Sequence, residues 1–337
     1  MRNVAARQHA AWCWAASLAP ALTVLPGAGD WSVPLLALPA VWAADRLLRR
    51  VEVHRGWDER VGGALTIVYI MWAVVLGGTQ LRIGVRRVGM AVNLAVEPWL
   101  LAAGVVLLAV WMARGTPAAC ARWARMVLKG TLVALGGIVL LSLRQMRWEG
   151  LLPLWKGGVD WLGVTGLTGA VLCVRVYGGF VSEDGGGGMR YLPPVCLLLS
   201  ALLVAIEGNL GTALAARVED PLLTLSRNVG VEGTFQRAES LLAAGLLLVD
   251  LALLTLLLWA AQGRLGRFWP TVGLAIFVAA SLPGSAAGME LFRNWILPVG
   301  NFALGLVVPL FLLAVGRAKD GKKRAYIVPE NRGNGTS

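Results

Sequence analysis

Long apolar stretches, each ended by charge, Gly or Pro, recur from one end of the chain to the other. Ten can be marked, at roughly 8–26, 31–47, 62–81, 94–113, 126–143, 159–181, 192–213, 239–262, 268–288 and 295–316. Each is close to the 20 or so residues that an α-helix needs to cross about 30 Å of hydrocarbon. The pattern predicts an all-α integral membrane protein with ten transmembrane helices. Between residues 214 and 238 the chain (AARVEDPLLTLSRNVGVEGTFQRAE) is too polar to span. It is expected to form a re-entrant or capping hairpin outside the bundle.

Ten helices divide into two sets of five, about 8–143 and 159–316. Each set opens with a helix whose sequence interrupts itself. The first contains Ser17-Leu18-Ala19-Pro20, and the sixth reads DWLGVTGLTGAV from Asp160, with Gly163, Gly166 and Gly169 three apart and Thr165 and Thr168 between them. Proline lacks a backbone donor and clashes one turn back, and glycine removes the steric cost of unwinding. Unwound backbone is tolerated at membrane depth only where it lines a cavity. Helices one and six are therefore expected to be discontinuous, at corresponding positions of a 5+5 inverted repeat of transporter type. The N-terminus of a half-helix would meet an anion such as a carboxylate. On this reading the ligand-binding candidates are Ser17, Ala19 and Pro20 in helix one and Gly163, Thr165 and Gly166 in helix six. A second reading stays open, in which glycine at every third position simply lets helices pack closely.

Composition supports the membrane assignment. Of the 337 residues 57% are hydrophobic and 15% charged, against roughly 25% charged in a soluble protein; mean hydropathy is +0.67. The net charge of +12 sits mainly between the apolar runs, which makes it topological rather than a nucleic-acid footprint. With the N-terminus inside, 21 of the 31 Lys and Arg residues fall on the inner side and 10 on the outer. That bias places both termini in the cytoplasm. Residues 317–337 form a basic cytoplasmic tail, expected to be disordered and attracted to anionic lipid. The run GGGG at 185–188 reads as a flexible linker.

Cys13, Cys120, Cys173 and Cys196 lack metal-ligand spacing and read as packing residues. His9 and His54 stand beside arginines at helix edges. No paired carboxylates, catalytic triad, phosphate loop or metal cluster falls in the spans, so no catalytic residue, metal or cofactor is expected and the chain is not expected to be an enzyme. Asp250, near the middle of the eighth run, needs a partner at that depth.

Several strings, in order along the chain, resemble the spore germination receptor B-subunit family, the GerAB-type proteins of the amino acid–polyamine–organocation permease superfamily, whose fold is LeuT-like. They are Leu25-Pro26 with Asp30-Trp31-Ser32, Val61-Gly62-Gly63 through Tyr69 to Leu81-Arg82, Gly115 to Arg122, Leu151-Leu152-Pro153 with Gly157, and Pro221, Arg227 and Phe235-Gln236-Arg237-Ala238-Glu239-Ser240. The resemblance implies a ten-helix protein of the inner spore membrane that acts with an A and a C subunit as a nutrient receptor. It implies binding of an amino acid or similar small germinant in a permease-like cavity. A stand-alone proton-coupled amino acid permease is the alternative, because one scaffold serves both. By analogy with proton-coupled members, Lys129 on helix five is a coupling candidate and one possible partner of Asp250; snorkelling to the interface is the other reading. Tyr69 on helix three, which lines the cavity in this fold, is a further ligand-binding candidate, with packing as its alternative.

Overall fold

The computed structural model describes residues 2–24, 31–49, 59–92, 97–146, 160–181, 191–215, 217–229, 238–282, 286–312 and 314. Outside them fall the basic tail, the GGGG linker, His54, Leu25-Pro26, Leu151-Leu152-Pro153 and Phe235-Gln236-Arg237. Every regular element among the described residues is helical. In chain order they are α1 (Arg2–Val24), α2 (Val33–Arg49), α3 (Glu59–Val92), α4 (Pro98–Ala113), α5 (Pro117–Ser142), α6 (Trp161–Val181), α7 (Leu192–Leu210), α8 (Thr212–Ala215), α9 (Pro221–Asn228), α10 (Ala238–Leu265), α11 (Pro270–Ser281), α12 (Ala286–Leu291) and α13 (Leu297–Phe302). Each of the ten apolar runs falls on a helix. Six helical segments are long and apolar enough to cross a membrane: Gly63–Val92, Pro117–Ser142, Trp161–Val181, Leu192–Leu210, Glu239–Phe268 and Phe292–Leu312. They mark an integral membrane protein. α4 and α11 are apolar but shorter, at 16 and 12 residues.

Helix ends follow local chemistry. Thr116 caps α5, its side chain accepting from the Ala119 N–H, and Pro117 follows where a missing donor costs nothing. Asp220 caps α9 in the same way, accepting from Leu223 N, again with a proline next.

α1 is the axis of the bundle. From His9 to Val24 every residue is buried, and α1 packs on α5, α6 and α10. A helix enclosed on all sides needs small side chains to let its neighbours approach, and alanine fills that role in AAWCWAASLAPAL. Trp12 ties α1 to α10 by donating to the Ala252 carbonyl at 3.0 Å.

The expected breaks in helices one and six are absent. α1 is one α-helix with Pro20 inside it, and α6 is continuous from Trp161 to Val181. Pro20 forgoes a single backbone bond, the one its N–H would have made to the Ala16 carbonyl, and the helix runs on to Val24. The α6 glycines serve packing instead. A Cβ on Gly169 would stand 2.7 Å from Phe302 Cα and 2.9 Å from the Asn301 carbonyl carbon, and one on Gly166 would stand 3.0 Å from both Pro298 and Val24. Gly305 meets α6 from the other side, where its Cβ would lie 2.6 Å from Cys173 N. Backbone against backbone is how helices gain dispersion energy in lipid, where burying apolar surface against a neighbour gives no advantage over burying it in tails. The irregular helix is the last one. Phe292–Ile296 and Ala303–Val307 are π-helical turns on either side of α13.

Further contacts pair α2 with α6 and α7, α3 with α10 and α11, α4 with α10 and α11, α10 with α5 and α6, and α9 with α7 and α10. α13 packs on α6 as α5 packs on α1.

The glycine contacts give a paired prediction. Gly169→Ala is expected to destabilise the protein by about 1–3 kcal/mol, the usual cost of overpacking. Gly104→Ala, where a Cβ meets nothing within 4 Å, is expected to be neutral or to stabilise by up to about 1 kcal/mol. Thermal midpoints of the two variants in one detergent check both.

Candidate functional site

Charged side chains inside an apolar bundle are costly unless paired, so their placement marks where structure has been given over to something other than packing. Two buried ion pairs stand at opposite ends of the bundle. At the end carrying the N-terminus of α1, Arg175 of α6 meets Asp45 of α2 at 2.7 Å. Close by, His9 Nε2 donates to the Gly178 carbonyl at 3.0 Å. At the other end, Arg87 of α3 meets Asp220, the cap of α9, at 2.6 Å. Both Arg87 and Asp220 are buried. Their sequence neighbours form a second, exposed pair, with Arg86 Nη2 donating to Glu219 Oε2 at 2.9 Å. Arg227, on the last turn of α9, donates to the Met90 carbonyl and lies 3.7 Å from Glu239. Three arginines thus hold α9 across the end of α3 and the start of α10.

Asp250 lies midway along α10, 1% exposed. Neither of its carboxylate oxygens has a hydrogen-bond partner. It packs against α3 at Gly84, where a Cβ would collide with Oδ2. Arg87, one turn further along α3, is within electrostatic range of Asp250 as well as of Asp220. Gln80, one turn before Gly84, also approaches Asp250. One of its two amide hydrogens goes to Thr23 Oγ1, with Nε2 2.8 Å from that oxygen, and the other is left on the Asp250 side, while Thr23 in turn donates to the Ala19 carbonyl at 3.0 Å.

A cleft opens between α3, α6 and α10 near the Asp45–Arg175 end. It is narrow, with internal room for about one water molecule, and is lined by residues such as Thr66, Tyr69, Tyr177, Phe180 and Arg264. Tyr69, Tyr177 and Phe180 meet edge to face, with centroids 5.5–6.1 Å apart, and the Arg264 guanidinium lies 5.0 Å over the Phe180 ring. The hydroxyls of this cluster are spent on backbone. Tyr69 donates to the Leu304 carbonyl at 2.7 Å and Tyr177 to the Tyr69 carbonyl at 2.6 Å. What remains on offer is aromatic surface beside a positive charge, a setting that suits an apolar or aromatic body carrying a carboxylate.

Of the residues singled out by sequence, Tyr69 alone lines this cleft. Ser17 donates back to the Trp14 carbonyl at 3.0 Å, and Ala19 and Pro20 are buried within α1. Gly163 N donates to Asp160 Oδ1 at 2.9 Å, a helix-start contact, and Thr165 donates to the Trp161 carbonyl at 2.9 Å. Gly166 packs on Val24 and Pro298. Lys129 is exposed and does not pair with Asp250. The reason is periodicity: the buried stripe of α5 runs through Ala124, Val127, Leu128 and Thr131, and position 129 faces away from it. All four cysteines are free and buried.

Sequence reading missed Asp45, Arg87, Arg175 and Asp220, each assigned to a loop or a span end because an apolar run is closed by its first charge. The doublets Arg86-Arg87 and Glu219-Asp220, opposite in sign and matched in length, were the available signal.

Removing the arginine of the buried pair, by Arg87→Gln, is expected to cost about 3–5 kcal/mol because the Asp220 charge is left uncompensated. Arg86→Gln in the exposed pair is expected to cost under about 1 kcal/mol. Thermal midpoints of the two variants in one detergent test the contrast. No protein-family model and no curated protein matches the chain.

Proposed function

We propose that the chain is a permease-like membrane protein of two five-helix halves that serves as the solute-sensing membrane subunit of a spore nutrient-germinant receptor. Its ligand is an amino acid or similar small germinant, its partners are the receptor's A and C subunits, and it lies in the inner spore membrane with both termini cytoplasmic.

The observation that carries the reading is the pattern of helix contacts. Number the main helices one to ten as α1–α7, α10, α11 and α13, and exchange each with the helix five places on. The contact α1–α5 becomes α6–α13, and α3–α11 becomes α10–α4, both of which are present. The contacts α1–α6, α2–α7, α3–α10 and α4–α11, which the exchange leaves unchanged, are present too. The exchange holds for part of the bundle: α1–α10, α5–α10 and α2–α6 would become α6–α3, α13–α3 and α7–α1, which are not among its well-packed pairs, while the matching subset is what a repeated five-helix unit would give. The germinant-receptor assignment rests on the resemblance of the strings, of which Gly62-Gly63 to Arg82 lies on α3, Gly115 to Arg122 at the α4–α5 corner, and Pro221 and Arg227 on α9.

The proposed ligand position is the cleft of Tyr69, Tyr177 and Phe180, which widens to admit it, its carboxylate toward Arg264. Binding shifts the balance between conformations of the bundle, and the partner subunits respond to the shift. The second reading, a proton-coupled amino acid permease, is favoured by one observation, the unpartnered carboxylate of Asp250 in the interior.

The test is the thermal midpoint of the purified chain against a panel of amino acids. A ligand at about 100 times its Kd stabilises the native state by about 2.7 kcal/mol. One amino acid is expected to raise the midpoint of the parent and to lose that effect in Arg264→Gln, an exposed position whose ligand-free midpoint serves as the control for folding. An equal shift in both proteins would remove the ligand from this cleft. No shift from any amino acid would remove the ligand class. Uptake of the stabilising amino acid into liposomes by the chain alone would select the permease over the sensor.

A further inference from the structure

Arg87 sits between two buried carboxylates and bonds only one of them. Asp220 takes the 2.6 Å ion pair and, through its other oxygen, caps α9 by accepting from Leu223 N at 3.0 Å. Asp250 lies one turn of α3 away with both oxygens unpartnered. Arg87 with an ionised Asp220 is neutral, and a charge on Asp250 would then stand alone in the interior, where an uncompensated carboxylate is not sustained. Neutrality is restored by one bound cation. A metal ion would need several further oxygen ligands, yet the Thr23 and Gln80 groups nearby are bonded to each other and the Arg87 guanidinium repels it. A proton needs neither.

We infer that Asp250 is a proton-binding site that decides which of the two carboxylates holds Arg87, and thereby whether α9 is latched over the end of the bundle. The inference concerns the latch and holds whether or not the cleft binds an amino acid. With the proton on Asp250, Arg87 stays on Asp220 and α9 is held down. When the proton leaves for water entering beside α9, Arg87 turns to the Asp250 carboxylate, Asp220 is released to solvent, and α9 loses both its clamp and the fixed position of its cap. The interior is neutral in both states, which is what makes the exchange feasible at this depth.

Other charged groups on the elements packed around α10 do not compete. On α9, Arg227 faces Glu239. On α6, Arg175 is taken by Asp45 at the far end. On α5, Arg122 and Lys129 are exposed and Arg125 is half-buried. On α3, Arg86 is held by Glu219 and Arg82 Nη1 donates to the Leu282 carbonyl at 2.8 Å. α4 carries no charged residue, and neither does α11. On α1 the near end presents Thr23 alone.

The experiment reads α9 directly. Ser226 is buried beneath it, 1% exposed, and donates to the Leu223 carbonyl at 2.7 Å. In a full-length Ser226→Cys protein, the rate of labelling by a membrane-impermeant maleimide is followed from acid to alkaline pH after correction for thiolate fraction. The parent chain, with its four buried cysteines, supplies the background. The corrected rate is expected to rise about tenfold or more as Asp250 ionises. It should stay low at every pH in S226C/D250N, which mimics the protonated state, and high at every pH in S226C/D220N. A corrected rate that does not change with pH, or one that rises equally in S226C/D250N, would overturn the proposal. Infrared difference spectra of the unmodified chain need no interior substitution. A protonated-carboxyl band that disappears over the same pH range supports the site, and its absence throughout rejects it.

Discussion

The enclosure of α1 is the constraint from which the rest of the architecture follows. Its run from His9 to Val24 has no lipid-facing side, so none of its polar groups can be left to the surroundings. Ser17 and Thr23 bond carbonyls of their own helix, Trp12 reaches α10 and His9 reaches α6. Buried polar groups without partners are expensive in any interior and more so in hydrocarbon. The Trp12 and His9 bonds therefore fix the rotation of α1 against α10 and α6. Its freedom from lipid also explains why α1 is missing from the strongly apolar helices although it lies at the centre. A helix that touches only protein is selected for shape, and alanine supplies shape with little hydropathy.

The ion pairs fix what packing leaves free. Apolar faces in a membrane slide past one another at little cost, whereas a buried Arg–Asp contact at 2.6–2.7 Å tolerates no change of register. Asp45–Arg175 sets α2 against α6 at one end, and Arg87–Asp220 sets α3 against the α9 segment at the other. Between them, Trp72 Nε1 donates to Asn301 Oδ1 at 2.9 Å, joining α3 to α13 where Gly300 makes room for the indole. Specificity of arrangement is the best-supported role for polar groups in such interiors.

The positions of the helices were legible because hydropathy depends only on what each run must be dissolved in. The shape of the helices was not. Three-residue spacing of glycine in α6 is compatible with unwinding and with close packing, and what decides between them is the backbone of α13, more than a hundred residues away. Pro20 carried the same ambiguity, since one missing backbone donor is compatible with a break and with the continuous helix that forms. The site suffered from a different limit. α3 runs to Val92, yet its apolar run was closed at residue 81 by Arg82. Reading a charge as the end of a span discards the charges that are buried because they have partners, and partners in distant segments are invisible to a window that slides along one helix.

A buried ion pair stands at each end of the bundle, and that sets the energetic terms for movement of the elements it joins. Breaking either pair costs several kcal/mol if the freed charges find nothing else. A ligand with equal affinity for the closed and opened forms cannot supply that difference, however tightly it binds. The opening at the α9 end is cheaper than it looks, because Arg87 has a second carboxylate within one turn and Asp220 has water beyond it. At the Asp45–Arg175 end the arginine lies inside α6 rather than at its end, so freeing it releases no helix cap. The two closures are therefore unequal. The end bearing α9 is the one that a small change of protonation or a modest differential affinity can move, while the other needs a ligand that replaces one of the two charges. A carboxylate-bearing solute in the neighbouring cleft has the chemistry to do so.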